Sequence, residues 1–171
     1  MKKVYLFLFV SFFLYSCSNK SEDLNSLNEN ELSQKINEFY QNKNFLKSAE
    51  AIEIFVKKYP QNSKAPEYLL NLALLYTNDL KNINSAITQY KRIINDYPNS
   101  KEAPNALFTL GFIYANELKD FPNAKIYYEE FLKKYPQHEA AASVKFELEN
   151  LGKNPDDLIN NIQNNTNKSN K

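Results

Sequence analysis

Glycine is almost missing: the 171 residues contain two, Gly111 and Gly152. Sandwiches, barrels and phosphate-cradling loops use glycine for tight turns, so a β-rich or nucleotide-binding fold is disfavoured. One cysteine cannot form an internal disulfide, and one cysteine with one histidine cannot complete a four-ligand zinc site. Neither sign of charge dominates. The 21 Lys+Arg face 20 Asp+Glu for a formal charge of +1, which gives no electrostatic case for binding nucleic acid. Tryptophan is absent, yet there are 12 Tyr and 12 Phe, and 43% of the chain is hydrophobic. That is enough apolar material for a core, which excludes wholesale disorder.

Catalytic signatures are also missing. There is no G-x-S-x-G and no P-loop. His138, the lone histidine, sits beside Pro136 and Gln137 and reads as a solvated turn residue. Glu129-Glu130 and Asp156-Asp157 are sequence neighbours that fit a solvated helix face and a polar loop. General acid–base work needs positioned groups with shifted pKa values. The sequence therefore points to a non-enzyme with no cofactor, no metal and no small-molecule substrate.

The front of the chain is distinctive. Lys2 and Lys3 precede an uncharged run from Val4 to Tyr15. A membrane-spanning helix needs about 20 apolar residues, so this run is too short and fits a secretory signal instead. It ends in Leu14-Tyr15-Ser16-Cys17 and gives way at once to polar sequence. These four residues resemble a bacterial lipobox. The resemblance implies cleavage before Cys17 and acylation there, so that lipid chains hold the mature protein on a membrane. Residues 1–16 are then a lipoprotein signal peptide and 17–30 a lipidated cysteine with a flexible tether.

A 38-residue period organises the rest of the chain. Tyr-Pro recurs at Tyr59-Pro60, Tyr97-Pro98 and Tyr135-Pro136. Residues 61–98 and 99–136 align without a gap and share 12 identical positions of 38. Each unit reads as two helices. The first opens at Ala65-Pro66 or Ala103-Pro104, because proline is tolerated in a first helical turn. It presents Leu69, Leu72, Ala73 and Tyr76, or Leu107, Leu110, Gly111 and Tyr114, on one face. Asn82 and Asp120 are candidate N-caps for the second helix, with Asn44 at the matching place upstream. That helix carries Ala86, Tyr90, Ile93 and Ile94, or Ala124, Tyr128, Phe131 and Leu132, and stops at Tyr-Pro. A degenerate first unit occupies 31–60 and a closing helix 138–150, with Gly152 as its stop. The spacing predicts an all-α chain of about seven helices over 31–151 and a disordered tail over 152–171.

The run Leu107-x-x-Leu110-Gly111-x-x-Tyr114, then Ala124, Tyr128, Phe131 and Pro136, resembles a tetratricopeptide repeat, and the preceding unit matches it. The resemblance implies an α-α superhelix of stacked hairpins. The longer period is similar to envelope repeats such as those of the β-barrel assembly lipoprotein and of the division coordinator linked to the Tol–Pal system. It implies a membrane-anchored, non-enzymatic scaffold on the periplasmic side of the bacterial envelope. The expected membrane is the outer one and the expected role is outer-membrane protein assembly. Coordination of division or peptidoglycan work, and a passive spacer, remain as alternatives.

In this family the first helix of each pair lines a concave groove. The matching positions are Leu70, Leu74, Phe108 and Phe112, with Phe146 in the closing helix and Leu32 and Ile36 one step upstream. The partners implied are other envelope proteins or peptides in that groove, and a membrane through acyl chains on Cys17. The same apolar residues also fit a core reading, because Leu69 to Tyr76 is hydrophobic almost all round.

Overall fold

A computed structural model describes residues 23–154. The expected leader (1–16), Cys17, the start of the tether (18–22) and the tail from 155 onward lie outside these residues. Among the described residues there are seven α-helices and no strand. They form three hairpins and a closing helix: α1 (Glu29–Gln41) with α2 (Phe45–Lys58), α3 (Ala65–Asn78) with α4 (Ile83–Asp96), α5 (Ala103–Phe112) with α6 (Phe121–Lys134), then α7 (Ala141–Glu149). Each helix packs on the next in chain order, within a hairpin and between hairpins. The all-α array of stacked hairpins expected from the period is the fold the chain adopts.

Helix starts and ends fall where the sequence marks them. Proline opens α3 and α5 in the first turn, and Tyr59, Tyr97 and Tyr135 cap the ends of α2, α4 and α6. Asn82 Oδ1 accepts from the Ser85 amide at 3.1 Å, and Asp120 Oδ1 accepts from the Asn123 amide at 3.2 Å. Asn44 makes no such bond. Its turn is built differently. The Asn44 amide donates to Phe39 O, five residues back, whereas those of Asn82 and Asp120 donate to Tyr76 O and Tyr114 O, six back. All three turns pass through a lysine in the left-handed region, Lys43, Lys81 and Lys119 at φ 56°, 52° and 54°. A left-handed residue after a helix reverses the chain.

The tether is shorter than its polar composition suggests. Asp23 caps a 3-10 turn at Leu24–Ser26, and Leu24 is buried in the core. Lys58 Nζ donates to Asn25 O at 3.0 Å and to Leu27 O at 2.6 Å, which fastens this turn to the end of α2. Asn28 then starts α1 with a reciprocal capping box to Glu31. One docking leucine is enough to draw this polar segment onto the array.

The core runs unbroken through the hairpins. Leu69, Leu72 and Ala73 of α3, Leu107 and Leu110 of α5, and the second-helix residues Ala86, Tyr90, Ile93, Ala124, Tyr128 and Phe131 are all buried. Bulk is traded between facing positions. A Cβ on Gly111 would overlap the Tyr128 ring, so glycine is required by close approach rather than by its backbone freedom. The preceding unit holds Ala73 and Tyr90 at the same two places, and Thr77, whose hydroxyl donates to Ala73 O at 2.9 Å, stands beside the Tyr90 hydroxyl. The residue matching Thr77 is Ala115, and the buried Tyr128 hydroxyl has no hydrogen-bond partner among the described residues.

The Tyr-Pro period has a structural cause. Tyr97 Oη donates to Pro60 O at 2.9 Å, and Tyr135 Oη donates to Pro98 O at 3.0 Å. Each tyrosine reaches back one repeat to the proline of the previous pair. Beyond the last hairpin the pattern changes character. The places of Leu107 and Gly111 are taken in α7 by Lys145 and Glu149, whose charged groups lie 3.8 Å apart. A polar outer face is what the end of a stacked array requires.

Removing the hydroxyl of Tyr97 or Tyr135 as phenylalanine should cost about 0.5–1.5 kcal/mol each in urea unfolding. Tyr59→Phe should cost less, because no earlier Tyr-Pro pair lies within its reach. Tyr128→Phe should leave stability at pH 7 unchanged or raise it, while Tyr90→Phe should lose about 1 kcal/mol with the Thr77 contact. Burial pushes the Tyr128 phenol well above its ordinary value of 10.0. The unfolded chain therefore ionises first, and stability should fall as pH rises past about 10. That fall should be smaller in Tyr128→Phe.

Candidate protein-binding face

The first helices α1, α3, α5 and α7 carry the candidate residues, and the structure divides them. Leu70 and Phe108 are half-buried and pack against the core. The Phe108 ring lies 6.3 Å from Tyr128 and 6.4 Å from Phe131, centroid to centroid. Leu74 and Phe112 are 43% exposed and Phe146 is 55% exposed. One turn of α3 and of α5 therefore contributes one residue that anchors the helix inward and, four residues on, one that faces solvent. Such spacing keeps both on one helical flank.

Leu32 and Ile36 do not continue this row. They are 0% and 4% exposed, and belong to the core. The five-residue turn bond at Asn44 is the reason. With one residue fewer in the turn, Phe39 takes the place of Tyr76, and α1 aligns to α3 at a step of 37. Leu32 and Ile36 then stand where Leu69 and Ala73 stand, Ser33 takes the half-buried place of Leu70, and the exposed place of Leu74 falls to Asn37.

The shift opens a cleft of about 330 Å³ between α1 and α3, floored by α2. Ile36, Ser48, Ile52 and Leu75 form its base, and Asn37, Tyr40, Asn71, Leu74, Asn78 and Asp79 its walls. Ser48 Oγ donates to Ile36 O at 3.3 Å and ties the base together. A constant 38-residue step through the sequence does not find Asn37, Tyr40, Asn71 or Asn78. The signal is present as apolar spacing, since Leu32, Ile36 and Phe39 keep a helical face that a strict 38-residue alignment breaks.

A second open region, of about 370 Å³, lies where Phe146, Asn150 and Leu151 meet Phe121. The left-handed Gly152 (φ 76°) faces the Phe121 ring there. On the other flank of the array, Arg92 Nη1 of α4 donates at 2.7 Å to both Glu53 Oε2 of α2 and Gln89 Oε1. One hairpin later Lys91 hydrogen-bonds Tyr114 and Tyr127, which raises its pKa. These polar contacts join α4 to α2 and α6, and to Tyr114 in the turn that continues α5.

His138 is half-buried rather than solvated. Its ring meets Phe131 edge-on at 5.5 Å, and Nδ1 accepts from the Ala140 amide at 3.2 Å ahead of α7. Its role is to cap a turn. Among the described residues no group of three or more His, Cys, Asp or Glu is placed to hold a metal ion. None of the described helices is long and apolar enough to cross a membrane.

Residues 67–100 and 105–138 each match the model of the tetratricopeptide repeat family. The tetratricopeptide repeat is present twice. Both matches start inside a first helix, run through the second, and end just past Tyr-Pro. No curated protein matches the chain. Tetratricopeptide repeats mediate protein–protein binding, so the coarse assignment is a protein-interaction scaffold. Of the candidate residues, Leu74, Phe112 and Phe146 are the exposed ones.

Side-chain truncation separates anchoring from exposed residues. Leu70→Ala and Phe108→Ala should each lower stability by about 1–3 kcal/mol. Leu74→Ser and Phe112→Ser should stay within about 0.5 kcal/mol of the parent in thermal unfolding.

Proposed function

We propose that this chain is a lipid-anchored scaffold of the bacterial cell envelope, facing the periplasm from the outer membrane and serving outer-membrane protein assembly. The observation that carries the scaffold reading is the trio Leu74, Phe112 and Phe146, apolar side chains left in solvent on successive first helices of a tetratricopeptide array. Exposed apolar patches on a folded protein mark interaction sites. The envelope address rests on Lys2, Lys3, the apolar run 4–15 and the lipobox-like Leu14-Tyr15-Ser16-Cys17. The polar Ser18 after the cysteine is compatible with outer-membrane sorting.

Docking of Leu24 adds a distance constraint. Asp23 is the first described residue, six positions after Cys17. Six residues span at most about 22 Å when fully extended. A lipidated Cys17 would therefore hold the helical array against the headgroup layer and favour partners that are themselves at the membrane.

Labelling cells with an alkyne palmitate analogue should mark the parent protein, while Cys17→Ala should carry no label and leave the membrane fraction. Mild crosslinking and co-purification should then recover components of the barrel-assembly machinery with the parent. Leu74→Asp combined with Phe112→Asp should lose them while keeping its helix content. Recovery of Tol–Pal components would move the assignment to division. A folded double variant that retains every partner would remove binding from this face.

A further inference from the structure

We propose that the cleft between α1 and α3 receives one large aliphatic side chain of an extended peptide segment, with a basic residue next to it in that segment. This deepens the scaffold reading and rests on it. The base of the cleft is apolar through Ile36, Ile52 and Leu75. Its volume of about 330 Å³ lies at the small end of ligand sites and suits a side chain with its adjoining main chain.

The walls say what that main chain looks like. Asn37, Asn71 and Asn78 line the cleft, and no hydrogen bond among the described residues engages their side-chain amides. Other asparagines of the first-helix face differ. Asn116 Nδ2 donates to Phe112 O at 3.2 Å and Asn150 Nδ2 to Phe146 O at 2.8 Å. An asparagine amide offers both a donor and an acceptor. A helix satisfies its own peptide groups internally, whereas an extended segment brings free N–H and C=O groups that such amides can pair. Uncommitted amides around an apolar base therefore favour an extended occupant over an amphipathic helix.

Charge sets the flanking residue. Among the described residues Asp79 is the only acidic or basic side chain lining the cleft. It forms no ion pair among the described residues. A carboxylate without a cation beside an apolar base is complementary to lysine or arginine next to the anchoring residue.

The cleft lies where α1 is one position out of step with a strict copy of α3, and Ile36 and Ile52 stand there in place of the Ala73–Tyr90 and Gly111–Tyr128 pairs of the later hairpins. The structure thus places one anchoring pocket near the N-terminal end of the array, with the exposed Leu74, shared by pocket and row, as the link to Phe112.

The test uses the full chain and a labelled ten-residue peptide with one central leucine flanked by lysines, read by fluorescence anisotropy. Two control peptides carry glutamates in place of the lysines or alanine in place of the leucine. The lysine–leucine peptide should bind at least tenfold more tightly than either. Asn71→Ala with Asn78→Ala should weaken it tenfold or more, with unchanged circular dichroism. Asp79→Lys should reverse the preference between lysine and glutamate flanks. Equal binding of the three peptides, or no binding at millimolar peptide, would overturn the proposal. So would tighter binding of a helical peptide with leucines at i, i+3, i+4 and i+7, or a chain dimer in sedimentation that Leu74→Asp disrupts. The scaffold reading is judged separately. If Asn71→Ala/Asn78→Ala and Asp79→Lys retain the crosslinked partners that Leu74→Asp/Phe112→Asp loses, the scaffold stands and the cleft assignment falls.

Discussion

A pair of antiparallel helices cannot hide its apolar faces alone, and every other feature of this chain depends on that constraint. Leu69, Leu72 and Ala73 are covered because α4 lies on one side of α3 and α2 on the other. Tyr68 meets Phe55 of the preceding hairpin edge-on at 4.7 Å, so the contact between hairpins is as specific as the contact within them. Burial supplies the driving force. Direction and spacing come from polar contacts. The tyrosine of one Tyr-Pro pair donates to the proline carbonyl of the pair before it, which fixes how far each hairpin can slide along its neighbour. The left-handed lysines at 43, 81 and 119 repeat the same reversal between helices.

Much of the fold is legible in the chain. Ala-Pro marks helix starts and Tyr-Pro marks helix ends because both act through local backbone sterics, which sequence reports directly. The burial of Tyr90 and Tyr128 is legible for a similar reason, since period and helical spacing agree there. The first hairpin is harder. Its turn is one residue shorter, which rotates α1 by one position relative to a strict copy. Leu32 and Ile36 thereby lie in the core instead of the expected groove, and Asn37 faces outward. Leu24 escapes a pattern reading because a single docking leucine carries no periodic signal. The turn location of His138 is plain in the sequence, but its contact with Phe131 needs the fold to be seen.

The candidate binding face is half legible. A stripe of Leu and Phe on the first helices is visible at the 38-residue step, but burial depends on which side the next hairpin covers. Leu70 and Phe108 sit under that cover, and Leu74 and Phe112, one turn later, lie beyond it. The core reading of the stripe therefore holds for Leu70 and Phe108, and Leu74 and Phe112 are exposed. The polar component of the face is not legible, because asparagine is common throughout this chain and only the cleft distinguishes Asn71 and Asn78 from the rest.

The central claim is that stacked hairpins share one core and leave an apolar row of the first helices open. Hydroxyl-radical footprinting of the full chain, read residue by residue by mass spectrometry, tests it most directly. The account predicts rapid oxidation of Tyr40, Leu74, Phe112 and Phe146 and strong protection of Leu72, Tyr90, Leu110 and Tyr128. Protection of Leu74 and Phe112 equal to that of Leu72 and Leu110 would contradict it.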